Sequence, residues 1–178
     1  MNWDQLIRNW HAKASEEDFF SKFVFEYLAF IAYMKRIKFS QANADRSAIQ
    51  ELKRSTEFRD AYLNLIHANN ELRIAWDTIR QELNAARLGN VSGNSTQAEE
   101  IKWWNCSHDD LMQKTDAEKA KIAGVIHGLD DWENMIEYWY AIRNNLFHGA
   151  KNPQDGRDIL LVENGYKTLR PLVELFLQ

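Results

Sequence analysis

Trp3, Leu6, Ile7 and Trp10 fall at i, i+3, i+4 and i+7, the spacing that lines one helix face, and predict a short amphipathic helix at the start of the chain. A longer helix is expected from about Ser15. Ser15 and Asp18 read as capping residues, and Glu16 and Glu17 lie where the positive end of a helix dipole favours acids. Phe20, Phe23, Val24, Tyr27, Leu28, Ile31 and Met34 then repeat at helical spacing, while Phe19, Phe25 and Phe30 widen the stripe to a second face. A helix apolar on two faces belongs in the middle of a bundle or against a second copy of the chain.

From Asp45 to Arg87 the chain is rich in Ala, Leu, Glu, Arg and Gln, all good helix formers. Ile49, Leu52, Phe58, Tyr62, Leu65 and Ile66 line one face, and Leu72, Trp76, Ile79 and Leu83 continue it. Asn69-Asn70 is the expected break, giving two helices or one bent helix. Leu88 to Gln97 is the turn-rich run and reads as a surface loop. Ala98 to Gly128 carries short helical stretches at most, so the region near 88–128 reads as an insertion. Asp130 and Glu133 open a further helix bearing Met135, Ile136, Trp139, Ile142 and Leu146, which Gly149 stops. A last helix from Asp158 to Gln178 presents Leu161, Tyr166, Leu169, Leu172, Val173 and Phe176. Pro171 is expected to bend it or split off its final turns.

The expected architecture is therefore one all-α domain over residues 1–178, a helical bundle of about four core helices with an inserted segment. Composition agrees: seven glycines and two prolines are too few turn makers for a β-sandwich or barrel. With 45% apolar and 27% charged residues, disordered and collagen-like chains are excluded. A chain of 178 residues buries about 70% of its unfolded surface, enough to fold without disulfide or structural metal.

The net charge of −4 argues against a broad electropositive face for duplex binding and leaves room for a local basic cleft. The lone Cys106 cannot form an intramolecular disulfide, and MNWDQLIRNW lacks the order of a secretory signal, so a cytoplasmic location is expected. Lys22, Glu26, Lys35, Arg36 and Lys38 interrupt the most apolar stretch, Phe19 to Phe39. That stretch reads as a buried helix rather than a membrane span, and no membrane partner is expected.

The candidate chemistry lies at the end of the helix closed by Gly149, in the run Tyr138 to Gly149. At about 100° per residue, Glu137, Ala141, Asn144 and His148 share a face, whereas Arg143 lies about 140° from His148. One straight helix cannot aim both at one atom. A bend near Asn144-Asn145, fraying before Gly149, or a second copy of the helix alongside would let both reach one cleft. The residue types suit phosphodiester chemistry: histidine exchanges protons near neutral pH, and arginine offers a permanent charge in a planar fork.

Arg143-Asn144-x-x-x-His148, within Ile-Arg-Asn-Asn-Leu-Phe-His-Gly, resembles the signature of the HEPN superfamily of small helical bundles. The similarity is specific over about ten residues, and an early long apolar helix followed by a late motif helix is the order the superfamily leads one to expect. The resemblance implies a metal-independent endoribonuclease that needs no cofactor and leaves a 2′,3′-cyclic phosphate, with Arg143, His148 and Asn144 as its catalytic residues. It also implies RNA as substrate, a homodimer through the motif helix, a toxin–antitoxin or antiviral-defence setting, and an antitoxin or regulatory protein partner. The alternative within the same resemblance is a catalytically inactive module that binds a nucleotide, RNA or a protein through that cleft. Asn145, Lys151 and Tyr140 are the expected substrate contacts. Lys151 follows the motif closely enough to reach a phosphate, and Tyr140 offers a ring for base stacking.

Other constellations carry less. Cys106-x-His108 with Asp109 and Asp110 lacks the second ligand pair of a zinc site, and none of the five histidines follows a glutamate by three residues, as di-iron bundles require. No Gly-x-Ser-x-Gly elbow occurs. His11, His67 and His127 have no neighbours in sequence that assign them a role. Trp103-Trp104 and Trp139 fit packing as well as base stacking. Lys35, Arg36 and Lys38 fit either a phosphate track or a solvated helix end.

Overall fold

The computed structural model describes residues 2–15, 18–86, 88 and 124–178. These residues form seven α-helices and one π-helical turn, an all-α helical bundle. The order is α1 (Trp3–Lys13), α2 (Phe19–Tyr33) running into the π turn Met34–Lys38, α3 (Asp45–Arg54), α4 (Thr56–Ala68), α5 (Asn70–Ala85), α6 (Trp132–Phe147) and α7 (Gly156–Phe176). Leu88, the first residue of the expected surface loop, is buried in the core and its N–H donates to the Gly124 carbonyl, while the rest of that loop, Trp103-Trp104 and Cys106-x-His108 fall in 89–123, outside the described residues.

Side-chain caps set most helix starts. Asn2 accepts from the Gln5 N–H, Asp18 from Phe20 and Ser21, Ser55 from Phe58, Asn69 from Leu72, and Asp155 from Asp158. Each satisfies an amide that the first helical turn leaves without an intrahelical acceptor. The long helix thus starts at Phe19 behind Asp18, later than Ser15 suggested. Asn69 is a boundary as expected, but Ser55 cuts the stretch from Asp45 once more, so it makes three helices instead of two. Pro171 neither splits α7 nor frees its last turns, for the helix runs on to Phe176.

Helix α2 is central: it packs along α1 on one side and along α7 on the other, and α7 packs in turn against α5. Gly165 of α7 permits this approach, because a Cβ there would stand 3.1 Å from the Phe23 ring of α2. The core is aromatic. Trp139 of α6 lies 5.4 Å from Trp76 of α5, 5.7 Å from Tyr62 of α4 and 6.3 Å from Phe30 of α2, measured between ring centroids. Trp139 and Tyr138 are fully buried and serve packing, which places them out of reach of a base. No described helix is long and apolar enough to cross a membrane.

Candidate functional site

The motif residues sit on the last turn and cap of α6. His148 is the C-cap and Gly149, at φ +70°, is the left-handed residue after it. Gly149 N–H donates to the Leu146 carbonyl at 3.1 Å and Ala150 N–H to the Asn145 carbonyl at 2.8 Å, the paired bonds of a Schellman ending. This turn brings the chain off the helix directly at His148 and leaves its imidazole exposed.

Arg143 is aimed elsewhere. Its guanidinium donates to Asn144 Oδ1 at 2.9 Å, reaches Asp45 Oδ2 of α3 at 3.4 Å, and lies 4.6 Å from the centroid of the Phe147 ring and 5.8 Å from that of Tyr27. Its side chain remains 28% exposed, so one edge is open to an anion. No contact joins Arg143 to His148 within the chain among the described residues, in keeping with their separation around the helix.

Around Arg143 lies a group of charges drawn from three elements, the π turn, α3 and α6. Asp45 Oδ1 accepts from Lys35 Nζ of the π turn at 2.9 Å, so one carboxylate bridges two cations. Next to Asp45, Arg46 meets Glu137 at 2.6 Å and lies 5.4 Å from the centroid of the Tyr140 ring. Glu137 is buried and is also met by Lys53 at 2.6 Å. Tyr27 stands at the inner side of this group. Its fully buried hydroxyl has no hydrogen-bond partner among the described residues, and burial, with Asp45 adding, pushes its pKa well above the usual phenol range.

The remaining sequence candidates are placed as follows. Asn144 holds Arg143, Tyr140 is half-buried beneath Arg46, and Asn145 is buried inside the helix end. Lys151 points inward: its side chain is 4% exposed and its ammonium meets Asp158 at 2.5 Å. Of the basic cluster after α2, Lys35 joins the Arg143 group, Lys38 pairs with Glu57 over the Phe58 ring, and Arg36 stacks on Trp3. His11 proves to have a partner, the buried Glu26 at 2.7 Å. Their helical pattern gave no signal of it. Among the described residues no group of three or more His, Cys, Asp or Glu side chains is placed to hold a metal ion.

Beside the motif, Phe20, Val24 and Phe25 of α2 and Leu146 and Phe147 of α6 line an apolar groove of about 330 Å³. Phe147 is 56% exposed there, a large apolar side chain at the surface between Arg143 and His148. No family model, curated protein or solved structure significantly matches the chain.

Proposed function

We propose that the chain is a HEPN-type, metal-independent endoribonuclease, with Arg143, Asn144 and His148 as its catalytic group. The observation that carries this reading is the end of α6, where a half-open arginine held by Asn144 and an exposed cap histidine stand five positions apart. His148 removes the proton of a ribose 2′-OH, the 2′ oxygen attacks phosphorus, and the P–O5′ bond breaks with a proton delivered to O5′. Arg143 binds the phosphate oxygens as their charge builds. The ends left are a 2′,3′-cyclic phosphate and a 5′-hydroxyl.

Arg143 and His148 diverge within one chain, so in this reading two copies pair through α6, each completing the other's cleft. The groove beside Phe147 is the apolar surface such a homodimer covers. The protein acts in the cytoplasm as a toxin–antitoxin or antiviral-defence effector, restrained by a partner protein.

The divergence of Arg143 and His148 also favours a second reading, an inactive module that binds RNA, a nucleotide or a protein through Arg143 alone. Incubating labelled structured and unstructured RNAs with wild type, Arg143→Ala and His148→Ala in excess EDTA separates the two. Cleavage by wild type only, with cyclic phosphate ends, supports the nuclease. Loss of RNA binding in Arg143→Ala, with neither protein cutting, supports the module.

A further inference from the structure

Lys35, Asp45 and Arg143 come from the π turn, α3 and α6, and the fold sets two cations one carboxylate apart on a partly open surface. The Lys35, Asp45 and Arg143 side chains are 24%, 25% and 28% exposed. Asp45 divides its oxygens between them, one short contact to Lys35 and one longer, single-pronged contact to Arg143. A guanidinium paired with a dedicated structural carboxylate usually makes two parallel bonds. Here Arg143 makes one at 3.4 Å and spends its other nitrogen on Asn144. The buried Tyr27 hydroxyl adds a donor with no acceptor on the inner side of the same group. The arrangement has more donors than its single carboxylate satisfies.

We propose that Lys35 and Arg143 form a phosphodiester subsite in which the Asp45 carboxylate is an internal stand-in for the phosphate, displaced when RNA binds. The proposal rests on the reading of Arg143 as a phosphate ligand and adds to it a second cation and a restraint. Exchanging one anion for another between the same cations returns little free energy, so Asp45 lowers affinity for RNA. Lys35, ten residues before Asp45 and on no shared helix with Arg143, supplies charge that the α6 motif lacks.

The test is fluorescence anisotropy with a labelled, uniformly 2′-O-methylated single-stranded RNA, which lacks the attacking hydroxyl and stays intact, titrated over a range of salt. Asp45→Asn is expected to tighten binding about three- to tenfold, and Lys35→Ala to weaken it by a similar factor and reduce the salt slope by about one. Unchanged or weaker binding by Asp45→Asn, or an unchanged slope in Lys35→Ala, overturns the proposal. If Asp45→Asn does not fold, as read by thermal melting, the Lys35→Ala slope decides. RNA binding that Arg143→Ala abolishes but Lys35→Ala and Asp45→Asn leave unaltered defeats this subsite alone. Failure of wild type to bind defeats it together with the nuclease reading.

Discussion

The Tyr62 hydroxyl of α4 donates to the backbone carbonyl of Thr168 in α7 at 2.5 Å and accepts from the Trp76 indole of α5 at 3.0 Å. One phenol thus ties three helices at the centre of the bundle. The Trp139 indole of α6 adds a fourth through the Thr168 hydroxyl at 3.0 Å. Burial pushes the Tyr62 pKa well above the usual phenol value, so the group stays neutral and remains a donor.

Tyr62→Phe keeps the ring and removes this link, leaving the buried Trp76 N–H without its acceptor. A loss of about 2 kcal/mol in unfolding free energy is expected, since a buried donor left unsatisfied costs its full desolvation. Tyr62→Phe and Trp76→Phe should be strongly non-additive in a double-mutant cycle by urea denaturation. Additive losses would show that the two groups do not share the bond.

Gly149 is the residue whose backbone sets the exit from α6. A Cβ there meets nothing within 4 Å, so Gly149→Ala isolates the cost of placing an L-residue at φ +70°. About 1 kcal/mol of stability should be lost. Because the strain falls next to His148, the RNA cleavage proposed for this site should drop with it, per folded molecule. Gly149→Asn, which tolerates the left-handed region better, should recover much of both in melting and cleavage assays.

Lys151 and Asp158 close the turn that joins α6 to α7. Burial works to raise the Asp158 pKa, but the Lys151 ammonium and the Asn152 N–H outweigh it, and the net shift is downward. Such a carboxylate adds stability that is present above its unfolded pKa and lost as pH falls through the folded value. Lys151→Met should cost roughly 2–3 kcal/mol near neutrality, because it leaves the Asp158 charge inside without its cation. The deficit relative to wild type should shrink below pH 3.8. A deficit that stays constant under acid would point to lost packing rather than the ion pair.

Much of the fold was legible because its determinants are local. The apolar stripe of α2, the Asn69 boundary and the Gly149 stop follow from neighbours within four positions. Ser55 was missed because serine costs little inside a helix, so a run of good helix formers does not reveal whether it is an interior residue or a cap. Its hydroxyl accepts the Phe58 N–H, and the chain breaks there. Pro171 does not split off the final turns: α7 continues through it to Phe176, and the helix packs against α2 and α5. At the site, the divergence of Arg143 and His148 could be computed from helix periodicity alone. The Asp45 contact could not, since it spans 98 positions and no local pattern marks it. The inward turn of Lys151 was equally hidden, because nearness in sequence to His148 says nothing of which side a loop residue faces.

Glu26 gives the last prediction, from the face of α2 opposite the motif. Its carboxylate has no solvent exposure, and His11 of α1 meets it at 2.7 Å. Arg170 of α7 stands 3.8 Å away and is shared with Glu174, 4.0 Å from His11, and with the Tyr166 hydroxyl. Burial raises the Glu26 pKa above 4.5 even though His11 and Arg170 oppose it. The native state therefore binds this proton more tightly than the unfolded chain does. Its contribution to stability is full below pH 4.5 and lost as pH rises through the folded value. Glu26→Gln removes that proton equilibrium while keeping the shape. Wild type should lose stability relative to Glu26→Gln on going from pH 4.5 towards neutrality, and His11→Ala should steepen the loss by removing a group that favours the charged form. Urea denaturation across that range reads both effects. Parallel curves for wild type and Glu26→Gln would mean that α1 is held by its apolar face, Ile7 foremost, and that the carboxylate adds no pH dependence.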